Sequence, residues 1–357
     1  MRILYGVNGE GLGHATRSRA VIAMLLAHGH DVRVVASGRA VSYLSARLPR
    51  VDEIFGPSFV MDQGEIHRWA TLRRNVFAAG RELPETARRW LAIVDDWRPH
   101  VVVTDFEPLA ALYARTQRVP LVSVDNIHML VRCHHDDGII GGDLADFVLA
   151  RAITRAMVPT AGDYVVTTFF RPRVRWGRTS LVPPIVRDEV IDAVPERGEH
   201  VLVYSSGDAD VIDALRKLGV PARVYGMRNP RPRSDDRFLE DLRTARAVVT
   251  GGGFSLLSES IYLRKPVLSM PLHGQFEQLM NARYLEREGY GLSAPAAGPR
   301  EVAQFLDRLP EFEGALARYE QDGNRVALET IEACVTAAAT DTRQDRRRAR
   351  RTARKVA

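Results

Sequence analysis

Short apolar runs alternate along this chain with longer stretches in which apolar side chains recur every three or four positions. The runs at residues 3–7, 31–36, 100–104, 120–124 and 164–168 read as strands. Residues 15–28, with Val21, Met24 and Leu25 on one face, and residues 144–158 read as helices, with another between the strands at 100–104 and 120–124. Residues 68–97 suggest one or more amphipathic helices interrupted near Pro84. A second alternating series follows, with strands at 200–204, 222–225, 246–250 and 267–270. Between them lie a turn at 205–207, helices at 210–218 and 238–245, and a Pro- and Arg-rich loop at 226–236. Residues 300–339 read as helical.

Strand–helix alternation of this kind predicts the α/β class, with parallel sheets and ligands at the carboxyl ends of the strands. The segment 171–187 holds Pro172, Pro183 and Pro184 and shows no periodicity, so it reads as a linker between two Rossmann-like halves. The boundaries expected are 1–170, a linker at 171–199, a second domain at 200–340 and a basic, disordered tail at 341–357.

Composition narrows the class. A hydrophobic content of 45% with 26% charged residues is ordinary for a globular protein, and 357 residues suffice for two cores. No apolar run reaches the length of about 18 residues that a spanning helix needs, and the first residues read as a strand entering a glycine loop, not a leader. Two widely separated cysteines, Cys133 and Cys334, suggest neither a zinc site nor a disulfide framework, and point to a reducing cytoplasm. The net charge of +6 is misleading: from Arg343 onward eight basic residues face one acid, Asp345, so the rest of the chain is near −1. The tail lacks aromatic residues to stack on bases, which argues against specific nucleic-acid recognition and leaves two readings, a plain solvated tail and one attracted to an anionic membrane surface.

Two glycine-rich stretches carry candidate chemistry. The first strand runs into Asn8-Gly9-Glu10-Gly11-Leu12-Gly13-His14, then a helix. A helix amino terminus disfavours a cationic ring, which suits an imidazole meant to accept a proton. Asp105, at the end of the strand 100–104, could orient His14, and Glu107 on the same loop could substitute or hold an acceptor. The rival role for Asp105 is a cap on the following helix. Asp125 and Asn126, after the next strand, would face the same crevice or form a turn, with His128 close by. The second stretch is Gly251-Gly252-Gly253-Phe254-Ser255, again between strand and helix, where backbone N–H groups and a helix terminus can bind phosphate. Glu259 lies one helical turn beyond Ser255, where a carboxylate could accept from vicinal ribose hydroxyls. Gln275, Glu277 and Gln278 cluster after the strand 267–270, as suits a ligand rich in hydroxyls.

These residues resemble the inverting GT-B glycosyltransferases, the MurG-like and family 1 UDP-glycosyltransferases, over nearly the whole chain. The resemblance implies two Rossmann-like domains facing across a cleft. It casts His14 as catalytic base and Asp105 as its support; Gly11, Gly13, Glu107, Asp125 and Asn126 are read from their positions as lying beside them on the acceptor side. On the donor side it casts Gly251, Gly252, Gly253, Phe254 and Ser255 as the diphosphate loop, Glu259 as the ribose carboxylate, and Glu277 and Gln278 at the sugar, with Gln275 read beside them from its position. Glu277 followed by Gln278, Asn281 and Ala282 is similar to the family's Asp-Gln…Asn-Ala element, with Glu in place of the commoner Asp. Retaining GT-B enzymes resemble one another in a Glu-x7-Glu pair; here Gly251 stands eight residues before Glu259, which implies inversion.

The function expected is hexose transfer from a nucleoside-diphosphate sugar, UDP by default, to a hydroxyl of a glycan, lipid-linked or small-molecule acceptor. Neither a metal nor a cofactor is expected beyond the sugar nucleotide itself. The alternatives are a non-hydrolysing nucleotide-sugar epimerase of the same fold and a catalytically silent sugar-nucleotide-binding protein. The location expected is cytoplasmic, with peripheral contact to the inner face of the plasma membrane as an option.

Overall fold

The computed structural model of the protein describes residues 1–54, 56, 61–62, 65–66, 97–204, 209–226 and 235–356. The helices expected at 68–96, the turn at 205–207 and most of the loop at 226–236 lie outside them.

Strand β1 (Arg2–Val7) leads through the first glycine loop into α1 (Leu12–Ala27), followed by β2 (Asp31–Ala36), α2 (Gly38–Ser45) and β3 (Val51–Glu53). A short antiparallel pair, β4 (Met61–Asp62) and β5 (Glu65–Ile66), stands apart. Then come β6 (Val101–Asp105), α3 (Pro108–Thr116), β7 (Leu121–Asp125), α4 (Met129–Arg132), α5 (Asp137–Ile140), α6 (Leu144–Met157), β8 (Asp163–Thr167), β9 (Thr179–Val182) and α7 (Asp188–Ile191). The seven strands of the large sheet run parallel in the order β3-β2-β1-β6-β7-β8-β9. Its central strands are buried on both faces, which is why residues 101–105 and 121–125 read as continuous apolar runs and not as alternation.

The second sheet is built from β10 (Val201–Tyr204), α8 (Ala209–Lys217), β11 (Ala222–Tyr225), α9 (Asp235–Arg243), β12 (Ala247–Thr250), α10 (Phe254–Tyr262), β13 (Val267–Ser269), α11 (Phe276–Arg287) and β14 (Gly291–Ser293). It is also parallel, in the order β11-β10-β12-β13-β14. Helices α12 (Pro299–Asp307), α13 (Leu309–Leu316) and α14 (Arg325–Val356) close the chain. The α/β reading therefore holds. Each sheet reverses its strand order once, at β1/β6 and at β10/β12. A crevice for ligands opens at the carboxyl ends of strands where the winding reverses. Both glycine stretches leave their sheets at these points.

Two boundaries move. Residues 171–199 contain β9, which pairs with β8, so a division at residue 170 cuts through the first sheet. Four residues followed directly by Pro183 and Pro184 are too short to show a period. Helix α14 returns from the second half to the first, where Ala327, Ile331, Val335 and Ala338 enter the core beneath β6, β7, β8 and β9. The residues read as a disordered tail continue this helix to Val356. Arg and Ala are good helix formers, and a helix already nucleated by packing extends without a second nucleation cost.

The two halves share a core. Phe169, after β8, stacks on Phe254 with ring centroids 5.8 Å apart and planes 12° from parallel. Phe170 stacks on Tyr284 at 3.6 Å and 12°. The first pair is offset, an arrangement that contributes about 0.5–1.5 kcal/mol beyond its buried area.

Candidate active site

The register of the first sheet sets Val7 beside Asp105, so the loop entering α1 and the exit of β6 are adjacent by construction. His14, in the first turn of α1, places Nδ1 2.7 Å from Oδ1 of Asp105. Asp105 is fully buried and accepts three further bonds: from Nε of Arg17 at 3.0 Å and Ser18 Oγ at 2.9 Å on Oδ2, and from Nη2 of Arg17 at 2.5 Å on Oδ1. Burial pushes the carboxyl upward, but the Arg17 guanidinium and the His14 ring outweigh it and hold Asp105 below the usual carboxylate range. An ionised carboxylate only accepts, so Nδ1 of His14 carries the proton and Nε2 is left as the basic nitrogen. The ring stays 15% exposed while its partner is sealed.

Arg17 and Ser18 were absent from the sequence reading. The signal was available: His14, Arg17 and Ser18 stand at i, i+3 and i+4 on one helix face.

The alternative for Asp105, a helix cap, falls to its neighbour. Glu107 caps α3, its two carboxylate oxygens accepting from Leu109 N at 3.0 Å and Ala110 N at 2.5 Å. It is fully buried, and burial raises its carboxyl to about 7 despite those bonds. The expectation that Glu107 holds an acceptor is corrected accordingly, because a sealed carboxylate committed to two backbone donors reaches no ligand. Asp125 is buried too. It accepts from Ser123 Oγ, His128 N and His128 Nδ1, each at 2.7 Å. Burial would raise its carboxyl, but His128 and these bonds bring it down to about 2. Asn126 donates to Thr167 O at 2.9 Å across to β8. Asp125 closes the turn after β7, the other option weighed for it, and Asn126 ties that turn to β8.

The second glycine stretch meets the first. Gly251 to Gly253 leave β12 at its carboxyl end, and Gly253 is the amino-terminal residue of α10, which no side chain caps. A methyl group on Gly13 would lie 2.5 Å from Ser255 Oγ, so the amino termini of α1 and α10 face each other in near contact. Gly11 opens α1 at φ +77°, a backbone conformation that favours glycine. Glu277 is half-buried. Burial raises its carboxyl, while His14 and Arg17 pull it down from across the cleft.

Four donor-side expectations change in detail. Gln278 and Asn281 brace Gly252 from opposite sides of its residue: Gln278 Oε1 accepts from Gly252 N at 3.3 Å and Leu272 N at 3.2 Å, and Asn281 Nδ2 donates to Gly252 O at 3.1 Å. A Cβ on Gly252 would meet Gln278 O at 2.1 Å, so the residue must be glycine for the loop to dock on α11. Gln275, at the start of α11, accepts from Gln278 Nε2. The ring of Phe254 is buried against Phe169, which leaves only its backbone for a ligand. Glu259 is buried and paired on both oxygens with Arg187, at 2.7 and 2.9 Å, so the ribose-holding role gives way to an ion pair between α10 and the segment joining the sheets. A buried carboxylate requires such a partner, and nothing in the local sequence around Glu259 identified it.

Among the described residues no group of three or more His, Cys, Asp or Glu side chains could hold a metal ion, and no helix is long and apolar enough to cross a membrane.

Comparison with known proteins agrees with this architecture. An uncharacterised glycosyltransferase of Methanosarcina acetivorans is 26% identical over 344 residues, covering 85% of this chain and 88% of its own length. Among solved structures, LpCGTa in complex with UDP superposes with a TM-score of 0.60 at 16% identity, over 94% of this chain and 99% of that one. The Streptomyces sp. SF2575 glycosyltransferase SsfS6, complexed with thymidine diphosphate, gives 0.60 at 17% identity, over 93% and 99%. These similarities identify the fold as GT-B. The model of the family described as "Glycosyl transferase family 1" matches residues 1–310, and the chain belongs to that family.

Proposed function

We propose that this glycosyltransferase is an inverting, metal-independent enzyme that moves a hexose from a nucleoside-diphosphate sugar to a hydroxyl of a glycan, lipid-linked or small-molecule acceptor. The observation that carries the reading is the 2.7 Å contact between His14 and the buried Asp105, set against the uncapped amino terminus of α10.

In this mechanism Nε2 of His14 takes the proton of the acceptor hydroxyl as its oxygen attacks the anomeric carbon. The bond from that carbon to the diphosphate oxygen breaks, and its electron pair leaves with the nucleoside diphosphate. Asp105 holds the tautomer and stabilises the imidazolium that forms. The departing charge is met by the backbone at Gly253 and Ser255 and by the positive end of α10. Glu277, half-buried and facing His14 and Arg17, is assigned to the hydroxyls of the donor sugar. Gly11 and Gly13 flank the acceptor. No cofactor takes part besides the sugar nucleotide. UDP is the first donor to test, because LpCGTa was solved with UDP, and thymidine diphosphate, found with SsfS6, is the second. The free cysteines suit a reducing cytoplasm.

The test is to incubate the enzyme with UDP- and TDP-sugars and a panel of hydroxyl acceptors, following nucleotide release and the anomeric configuration of the product by NMR. Release that depends on acceptor, with inverted configuration, supports the reading. Retained configuration would remove the single displacement, and a new sugar isomer formed without acceptor would make the protein an epimerase.

A further inference from the structure

Helix α6 (Leu144–Met157) lies on the surface of the first half, and its outward side is apolar. Phe147 and Thr154 turn inward. On the opposite side Leu144 is 59% exposed, Val148 55%, Leu149 39% and Ile153 47%. Ala145, Ala152 and Ala156 fill the positions between them and are exposed as well. At 100° per residue these positions form a continuous stripe, where a surface helix normally carries charge.

Cations rim one edge of the stripe. Arg151 and Arg155 follow it on the helix, and Arg175 is close enough that Arg151 is held below its ordinary value, by burial first and then by repulsion from Arg155 and Arg175. Trp176 is 41% exposed beside them, with the guanidinium groups of Arg175 and Arg132 at 4.9 and 5.4 Å from its ring. Arg132 spends its donors on Thr179 Oγ1 and Gly177 O and not on a carboxylate. Asp146, half-buried at the far edge, is the one acid along the stripe.

We infer that this face, the outward stripe of α6 with its arginine rim and Trp176, docks the enzyme on an anionic lipid bilayer. An apolar helix side bordered by arginines, with tryptophan at the boundary, is the pattern of a helix lying in the membrane interface. The rim supplies the charge complementarity that selects acidic headgroups. A second copy of the chain is the weaker occupant, because like-charged arginines on a self-complementary contact would be brought together. The surface is separate from the basic continuation of α14, so the two can be told apart.

The experiment sediments the full chain with vesicles of phosphatidylcholine alone and with about one third phosphatidylglycerol added. Expected is binding to the acidic vesicles that is lost at about 1 M salt, where screening shortens to about 3 Å. The triple variant Leu144→Ser/Val148→Ser/Ile153→Ser should bind about tenfold more weakly, as should Arg155→Gln/Arg175→Gln, with melting temperatures near wild type since all five side chains project outward. Wild type that ignores acidic vesicles, or variants that pellet as wild type does, would overturn the proposal; the latter result would move any binding to the carboxyl-terminal helix. A concentration-dependent dimer that disappears in the triple variant would also overturn it, in favour of a second copy.

Discussion

The two glycine stretches of this protein look alike in sequence and are built by opposite means. The loop after β1 is backed by full charges: Asp105 and Arg17 form a buried ion pair, and the carboxylate also accepts from His14 and Ser18. The loop after β12 is backed by neutral amides, Gln278 and Asn281, which hold both polar groups of Gly252. The first arrangement suits the proton transfer proposed for it, because the buried carboxylate fixes the tautomer of a ring that stays partly exposed. The second offers fixed dipoles at an uncapped helix end, suited to holding an anion without reacting with it. On the proposed mechanism, one motif class, a glycine turn at a reversal of strand order, serves either chemistry according to what lies behind it.

Breaking the charged side should do most damage. Asp105→Ala leaves Arg17 buried without its partner, so thermal or chemical denaturation should show a loss of about 3–5 kcal/mol, and transfer activity should vanish with it. Wild-type stability in that variant would mean that the network is not sealed. His14→Ala separates catalysis from structure. The turnover number should fall roughly 10²–10⁴-fold, while donor affinity by calorimetry and the melting temperature stay close to wild type; an equal loss of donor affinity would place His14 on the binding side.

Gly252→Ala probes the neutral side. The added methyl has no room against Gln278, so a cost of about 1–3 kcal/mol is expected. It should appear as weaker donor binding as well as lower stability, with the pH profile of turnover unchanged. A shifted profile would show that the two loops are chemically coupled.

The smallest effect concerns Glu107, whose carboxyl is raised to about 7 by burial. The fold prefers its neutral form, so this group favours folding below the ordinary carboxylate range and loses that contribution as pH climbs toward 7. Glu107→Gln should remove this part of the decline in melting temperature between about pH 4.5 and 7. An identical pH dependence in the variant would show that Glu107 is ionised throughout.

Much of the fold was legible. Parallel strands buried on both faces leave apolar runs that cannot be mistaken for alternation, and both glycine turns sit where strand meets helix. His14 and Asp105 could be paired in advance because adjacent parallel strands deliver their exits to one crevice. Partners from distant sequence were not legible. Arg187, 72 residues before Glu259, takes both oxygens of a carboxylate that its own helix presents as free for a ligand. Glu107 and Asp105 are two residues apart, and only packing decided which became the cap and which the proton partner.

The sequence by itself determined the α/β alternation, the two glycine loops and the residue types gathered behind them, since periodicity and turn chemistry are local. Tertiary structure decided which carboxylates stay open to a ligand and which are consumed by buried pairs, that α14 closes the first core and not the second, and that the amino termini of α1 and α10 meet at Gly13 and Ser255. The reason is that burying charge requires a partner, and the partner is chosen by how the sheets and helices pack, not by distance along the chain.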